Sequence, residues 1–216
     1  ISQNKNIKID PETTMVLHVE TNDTIKIVSR LKNLISLDLD DTEVEKIELC
    51  PNLFALVINK NVGLRSIELS SIQTVHLHDL SDLHELKLPN AKVVSLSNCS
   101  SLWDLYLPSA VSVTLEKMNI HTLNIFKSIP KVQSLFMKDI DNEIQLHHSN
   151  KLNELVLDNC NIANLTNLAN FRSISILNCD YIQSIENINT VDTITIDNCS
   201  RLFNIDTIAA VSDLSV

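Results

Sequence analysis

Asn-Cys closes four similar tetrapeptides: LSNC (96–99), LDNC (157–160), ILNC (176–179) and IDNC (196–199). Thiols placed this way can pair as disulfides, hold a soft metal, or sit in a core as small apolar groups. Cys160, Cys179 and Cys199 are 19 and 20 residues apart, so successive turns of a coil would bring them within reach of one another. No CxxC occurs, and five cysteines leave one over in any disulfide framework. Equivalent positions on stacked strands also point the same way, which is poor geometry for a bridge. We therefore expect buried structural thiols, with no metal and no cofactor. Unpaired cysteines point to a reducing, cytoplasmic compartment; a secreted or cell-surface location stays open.

Other reactive groups are weaker candidates. His76 and His78 would share one face of a strand, as a metal pair requires, but the equivalent positions of neighbouring coils, Val57, Asn59, Ser95 and Ser97, supply no third ligand. His147 and His148 fall in an irregular turn. Carboxylates pair as Asp38 with Asp40 and, two coils apart, Asp158 with Asp197. General acid–base work needs a cleft that shifts their pKa values, whereas an open sheet face leaves them solvated. The chain has 1 Gly, where average usage is about 7%, which argues against a nucleophile elbow, a P-loop or a dinucleotide-binding turn. We expect no catalytic residue. The sequons at Asn22, Asn98, Asn164 and Asn198 are no more than an Asn- and Ser/Thr-rich chain contains by chance.

The elements that would position these groups follow from an internal period. An apolar-x-x-apolar-x-apolar frame recurs as LISLDL (34–39), LFALVI (53–58), IQTVHL (72–77), AKVVSL (91–96), AVSVTL (110–115) and VQSLFM (132–137). It continues as LNELVL (152–157), FRSISI (171–176), VDTITI (191–196) and VSDLSV (211–216), and a weaker copy, TMVLHV (14–19), precedes them. The steps are 19 or 20 residues except one of 22 around NIFKSIPK (124–131), where Pro130 should distort the stack. This pattern, LxxLxLxx followed by Asn or Cys, resembles the leucine-rich repeat superfamily along essentially the whole chain, in its irregular class of roughly 20 residues. The resemblance implies a right-handed, curved stack of parallel strands, about 11 coils here. It also implies that Asn22, Asn61, Cys99, Cys160, Cys179 and Cys199 form a structural ladder, each turning the chain inward and bonding to neighbouring backbone. Thr42, Leu80, Met118 and Ile140 depart from it, which leaves the polar groups of those turns to be satisfied otherwise.

A second series alternates between the first: IKI (7–9 and 25–27), IEL (47–49 and 67–69), LKL (86–88), LYL (105–107), LNI (123–125) and IQL (144–146). Period two predicts a short strand on the other side of each coil. After residue 160 the spacing becomes three, as in Leu165 with Leu168, Ile185 with Ile188 and Ile205 with Ile208, which predicts 3₁₀ turns in the last coils. We expect a single repeat domain over 1–216, either a fragment or an array with an uncapped C-terminal end that can self-associate.

Function is expected to be recognition of another protein, since the resemblance implies a scaffolding or binding module and not an enzyme. Outward residues of the strands run His18, Asp38, Val57, His76, Ser95, Thr114, Phe136, Val156, Ser175, Thr195 and Ser215. Phe136 and Val156 interrupt this polar column and are flanked by Lys138, Glu154 and Asp158. They form either a contact patch with a charged rim or the underside of an irregular coil after Pro130. Trp103 and Tyr106, beside His84 and His121, are a second candidate contact, or they cover the flank of a repeat. A net charge of −10 opposes nucleic acid and anionic membrane, and no apolar run spans a bilayer. Two other readings stay open: a secreted or cell-surface microbial protein binding host or matrix molecules, and a parallel β-helix enzyme acting on polysaccharide.

Overall fold

The computed structural model describes residues 10, 12–20, 27–48, 50–119, 125–141, 151–166, 171–188, 190–208 and 211–215, and the chain divides into two compact units, Ile1–Ala110 and Val111–Val216. Each unit is a parallel β-solenoid. In the first, ladder strands β1 (Val16–Val19), β3 (Ser36–Thr42), β5 (Ala55–Asn61), β7 (Thr74–His78) and β9 (Val93–Ser97) alternate along the chain with β2 (Ile27–Ser29), β4 (Lys46–Glu48), β6 (Ser66–Glu68), β8 (Glu85–Lys87) and β10 (Asp104–Tyr106). Each ladder strand pairs in parallel with the next. On the other side β2 pairs with β4, and β8 lies between β6 and β10.

The second unit repeats this plan. Its ladder strands are β11 (Ser112–Glu116), β12 (Ser134–Ile140), β13 (Glu154–Cys160), β15 (Phe171–Leu177), β17 (Val191–Asp197) and β19 (Val211–Ser215), again paired in parallel with the next. Its other side carries β14 (Asn164–Thr166), β16 (Ser184–Ile188) and β18 (Asn204–Ile208). One short helix, α1 (Ile125–Ser128), stands just before Pro130. It lies within the 22-residue step, on either side of which β11 and β12 keep a regular parallel register.

The core is built from the sequence frame. Leu34, Leu37 and Leu39 are all buried, as are Leu53, Leu56 and Ile58 in the next coil, and the same holds for Leu152, Leu155 and Leu157. Strand geometry sends alternate side chains to opposite faces, which accounts for the last two of each triplet. Register keeps like residues together, so Leu37 is the partner of Leu56 and Leu155 of Ile174. Each coil alone buries little; the neighbour one rung away supplies the other half of the contact.

Every coil also has to turn at the end of its ladder strand. All eleven non-glycine residues with positive φ, among those described, obey one rule: they lie at position i+2 between inward residues i and i+3. Asn159 (φ 51°) stands between Leu157 and Cys160, and Asn98 (φ 52°) between Leu96 and Cys99. A regular strand would turn position i+2 inward. One left-handed residue inserts a bulge, delays the alternation by a residue, and delivers i+3 to the interior instead. Asn and Asp tolerate this conformation best after glycine, which explains why Asn so often precedes the ladder Cys.

The same rule corrects two expectations. Residues 184–188 and 204–208 are extended strands and not 3₁₀ turns; the three-residue spacing of Ile185 and Ile188 arises because Asn187 has φ 55°. In β2 the inward residue is Val28, paired with Ile47, while Ile27 is exposed. Arg30 (φ 61°) makes the step from Val28 to buried Leu31, and that fixes the phase one residue away from the IKI reading. Ile205, in the edge strand β18, is partly exposed although its partner Ile185 is buried. The segments 7–9 and 144–146, and Leu123 and Leu168, lie outside the described residues.

Leu155→Ala removes a fully buried side chain flanked by Leu135 and Ile174. Chemical denaturation should show a loss of about 2–5 kcal/mol. A loss below about 0.5 kcal/mol, typical of a surface position, would contradict its inward placement.

Candidate functional site

The ladder residues are the best-defined polar arrangement. Asn61 is buried; its Nδ2 donates to the Thr42 hydroxyl at 2.8 Å and its Oδ1 accepts from the Leu64 N–H at 3.2 Å. Thr42, a departure from the repeat pattern, is therefore a working member of the ladder. Leu80, Met118 and Ile140 are simply buried there, and after Leu80 the turn is held by backbone, with the Leu83 N–H donating to the Leu80 carbonyl at 3.3 Å. Asn22 lies outside the described residues.

Cysteine does the same work with sulfur. The Cys160 thiol donates to the carbonyls of Met137 (3.3 Å) and Asp158 (3.5 Å), and the Cys179 thiol to those of Leu177 (3.2 Å) and Leu157 (3.7 Å). Cys179 Sγ in turn accepts from the Cys160 N–H at 3.5 Å. Each thiol thus ties its own turn to the coil before it. All five cysteines are free; Cys199 is half-exposed and the others are buried. Desolvation pushes the Cys99 and Cys179 thiols up to about 11 and the Cys160 thiol up to about 12. Thiols held protonated in this way are poor nucleophiles at neutral pH. Among the described residues no group of three or more His, Cys, Asp or Glu is placed to hold a metal ion.

Outside the turn runs a second polar rail that the ladder reading missed. The left-handed residues themselves bond from coil to coil: Asn98 donates to Asp79 (2.5 Å), Asn159 to Asp139 (2.7 Å) and Asn198 to Asn178 (2.9 Å), and Lys60 pairs with Asp41 (2.7 Å). Its signal was available in the sequence, as Asp, Asn or Lys immediately before each inward turn residue.

The water-facing column has the expected register. His18, Asp38, Val57, His76 and Ser95 are successive partners in the first unit, and Thr114, Phe136, Val156, Ser175 and Thr195 in the second; Ser215 is the backbone partner of Thr195. His18 lies between two carboxylates, Nδ1 to Asp38 at 3.0 Å and Nε2 to Glu20 at 3.1 Å. The bond to Glu20, with Asp38 adding to it, raises its pKa. Asp38 Oδ1 is the one buried side-chain oxygen without a partner among the described residues. His76 and His78 are exposed, and His78 pairs with Asp79 at 3.1 Å. His121, His147 and His148 lie outside the described residues.

Phe136 and Val156 are half-buried neighbours on the face of the second unit. Around them Lys138 pairs with Asp158 at 3.5 Å and Arg172 with Glu154 at 3.8 Å. Trp103 and Tyr106 lie on the other side of the first unit, 53% and 51% exposed. Lys87, the strand partner of Tyr106, is held by Asp104 (3.0 Å) and Glu85 (3.1 Å). A further apolar column, Met15, Ile35 and Phe54, was not anticipated. These residues are 55%, 41% and 52% exposed and are tied rung to rung through the Ile35 and Phe54 N–H groups. They occupy the second position of the repeat frame, where later copies carry Gln73, Lys92 and Asn153, and that contrast was visible in the sequence.

No protein-family model, curated protein or solved structure matches the chain.

Thiol chemistry tests the ladder. Under native conditions at pH 8, Cys99, Cys160 and Cys179 should resist alkylation until the protein unfolds, with Cys199 labelled first; rapid native labelling of Cys179 would contradict its buried placement. Because the folded thiols hold their protons more tightly than unfolded ones (ordinary value 9.0), their contribution is fully present below pH 9 and is lost as pH rises towards about 11–12. The urea midpoint should fall over that range, and less steeply in Cys160→Ala.

Proposed function

We propose that the chain is a protein-recognition module of the leucine-rich repeat kind, without chemistry of its own, and that Phe136 and Val156 centre its contact surface. Support for the repeat assignment is the LxxLxLxx frame with an inward Asn, Cys or Thr after it, since that turn residue bonds to neighbouring coils as the family's ladder does. The observation that carries the functional reading is the pairing of Phe136 with Val156 on a water-facing sheet, between Thr114 on one side and Ser175 on the other.

Energetics favour contact at that point. Two neighbouring apolar side chains gain from losing water, at roughly 25 cal/mol per Å². The surrounding ion pairs, Lys138 with Asp158 and Arg172 with Glu154, are partly exposed and contribute little on their own. They can therefore exchange their partners for charges on an incoming surface and select its orientation. A net charge of −10 favours a partner with a basic rim. Trp103 and Tyr106 offer a separate aromatic contact on the first unit.

Affinity capture with the whole chain and with Phe136→Asp tests the reading. At least one specifically retained protein should bind the variant about thirtyfold more weakly, equivalent to a hot-spot loss of about 2 kcal/mol. Thr195→Asp, on the same column two strands from Val156, should retain that protein, and thermal melting should show both variants folded. Equal retention by wild type and Phe136→Asp would remove the patch.

A further inference from the structure

The first unit contains a cavity of about 570 Å³ lined by Arg30, Lys32, Cys50, Pro51, Glu68 and Leu69, among others. This volume lies within the range of small-molecule sites, about 300–1,000 Å³. The lining comes from three successive coils: Arg30 and Lys32 follow β2, Cys50 and Pro51 follow β4, and Glu68 and Leu69 lie at the end of β6. With coils roughly 4.8 Å apart, the cavity crosses on the order of 10 Å, with Cys50 and Pro51 in its middle coil and Leu69 as a further apolar group in the next.

Arg30 is the unusual member. Its backbone is left-handed because Val28 and Leu31 must both face the core, and ten other positions solve the same problem. Eight of them use Asn or Asp, and the remaining two are Lys60 and Lys117. Both lysines have an ionic reason to be there, since Lys60 pairs with Asp41 at 2.7 Å and Lys117 with Glu116 at 3.9 Å. Arg30 has no ion pair among the described residues. A long cation in a strained conformation, without an ion pair among the described residues and lining a cavity, marks a position where the side chain serves something other than the fold.

We propose that this cavity binds an amphiphilic monocarboxylate: Arg30 takes the carboxylate and the apolar tail lies over Pro51, Leu69 and Cys50. Arg30 is the lining cation without an ion pair among the described residues, which matches a monoanion, and Glu68 disfavours a second negative charge. Lys32 is held by Glu12 at 3.4 Å on the surface, an exposed pair that exchanges readily, so it assists while Arg30 supplies the planar fork.

Octanoate is a suitable probe, with octanol as the same chain lacking the charge, both titrated calorimetrically into the full chain. Octanoate should bind saturably and at least tenfold more tightly than octanol. Arg30→Asn should relieve the backbone strain and raise the melting temperature while weakening octanoate about tenfold or more; Arg30→Lys should keep part of the affinity. Lys60→Asn, which also removes a cation from a left-handed position, should leave octanoate binding unchanged. Absence of saturable octanoate binding, equal affinity for octanol, or unchanged affinity in Arg30→Asn would each overturn the proposal.

Discussion

Closure of the coil is the constraint on which the rest depends. A polypeptide that returns to stack on itself every 19 or 20 residues must turn sharply beside its own core, where backbone N–H and C=O groups cannot be left unpaired. This chain solves the problem with a single left-handed residue at i+2 and an inward side chain at i+3. A non-glycine residue in that conformation costs of order 1–2 kcal/mol, and Asn and Asp visit it most easily. Coil-to-coil bonds such as Asn159 to Asp139 and Asn98 to Asp79 help to hold the conformation. The core residue that follows, whether Cys, Asn, Thr or Leu, then either satisfies the buried backbone or fills the space.

One device therefore explains features that look unrelated. It gives the three-residue step at the end of the ladder strands from β3 to β17, the three-residue step in β16, and the phase of β2. Side chains at i+2 are expelled to the surface by the same geometry that draws i+3 inward. Polar residues gather there and bond in pairs from coil to coil, and the few that are long cations need a reason of their own. Lys60 finds it in Asp41; Arg30 points to a ligand.

The outward faces carry the functional argument because the inward ones are fully committed. Among the described residues the interior is made of buried thiols with raised pKa values, aliphatic triplets and hydrogen-bonded turn residues. What distinguishes one coil from another is on the surface: Phe136 beside Val156, Trp103 near Tyr106, the Met15, Ile35 and Phe54 column, and the Arg30 cavity. Loss of a single surface side chain should leave the stack intact, since each coil depends only on its neighbours.

The inward frame and the repeat length could be read directly from the sequence, because burial in a strand is a local property with a fixed period, and eleven copies overdetermine it. Pairing of like residues followed from equal spacing, so Phe136 beside Val156 and His76 beside Val57 were legible too. Three things were decided only in the tertiary structure. The left-handed residues depend on both the next inward position and the coil alongside, so a spacing of three read as a 3₁₀ turn when it was a bulged strand. The phase of β2 was set by Arg30 and the neighbouring Ile47, not by the IKI alternation. Exposure and pairing on the outside, from the Met15 column to the Arg30 cavity, depend on side chains 19 or 20 residues apart in sequence that meet only when one coil lies against the next.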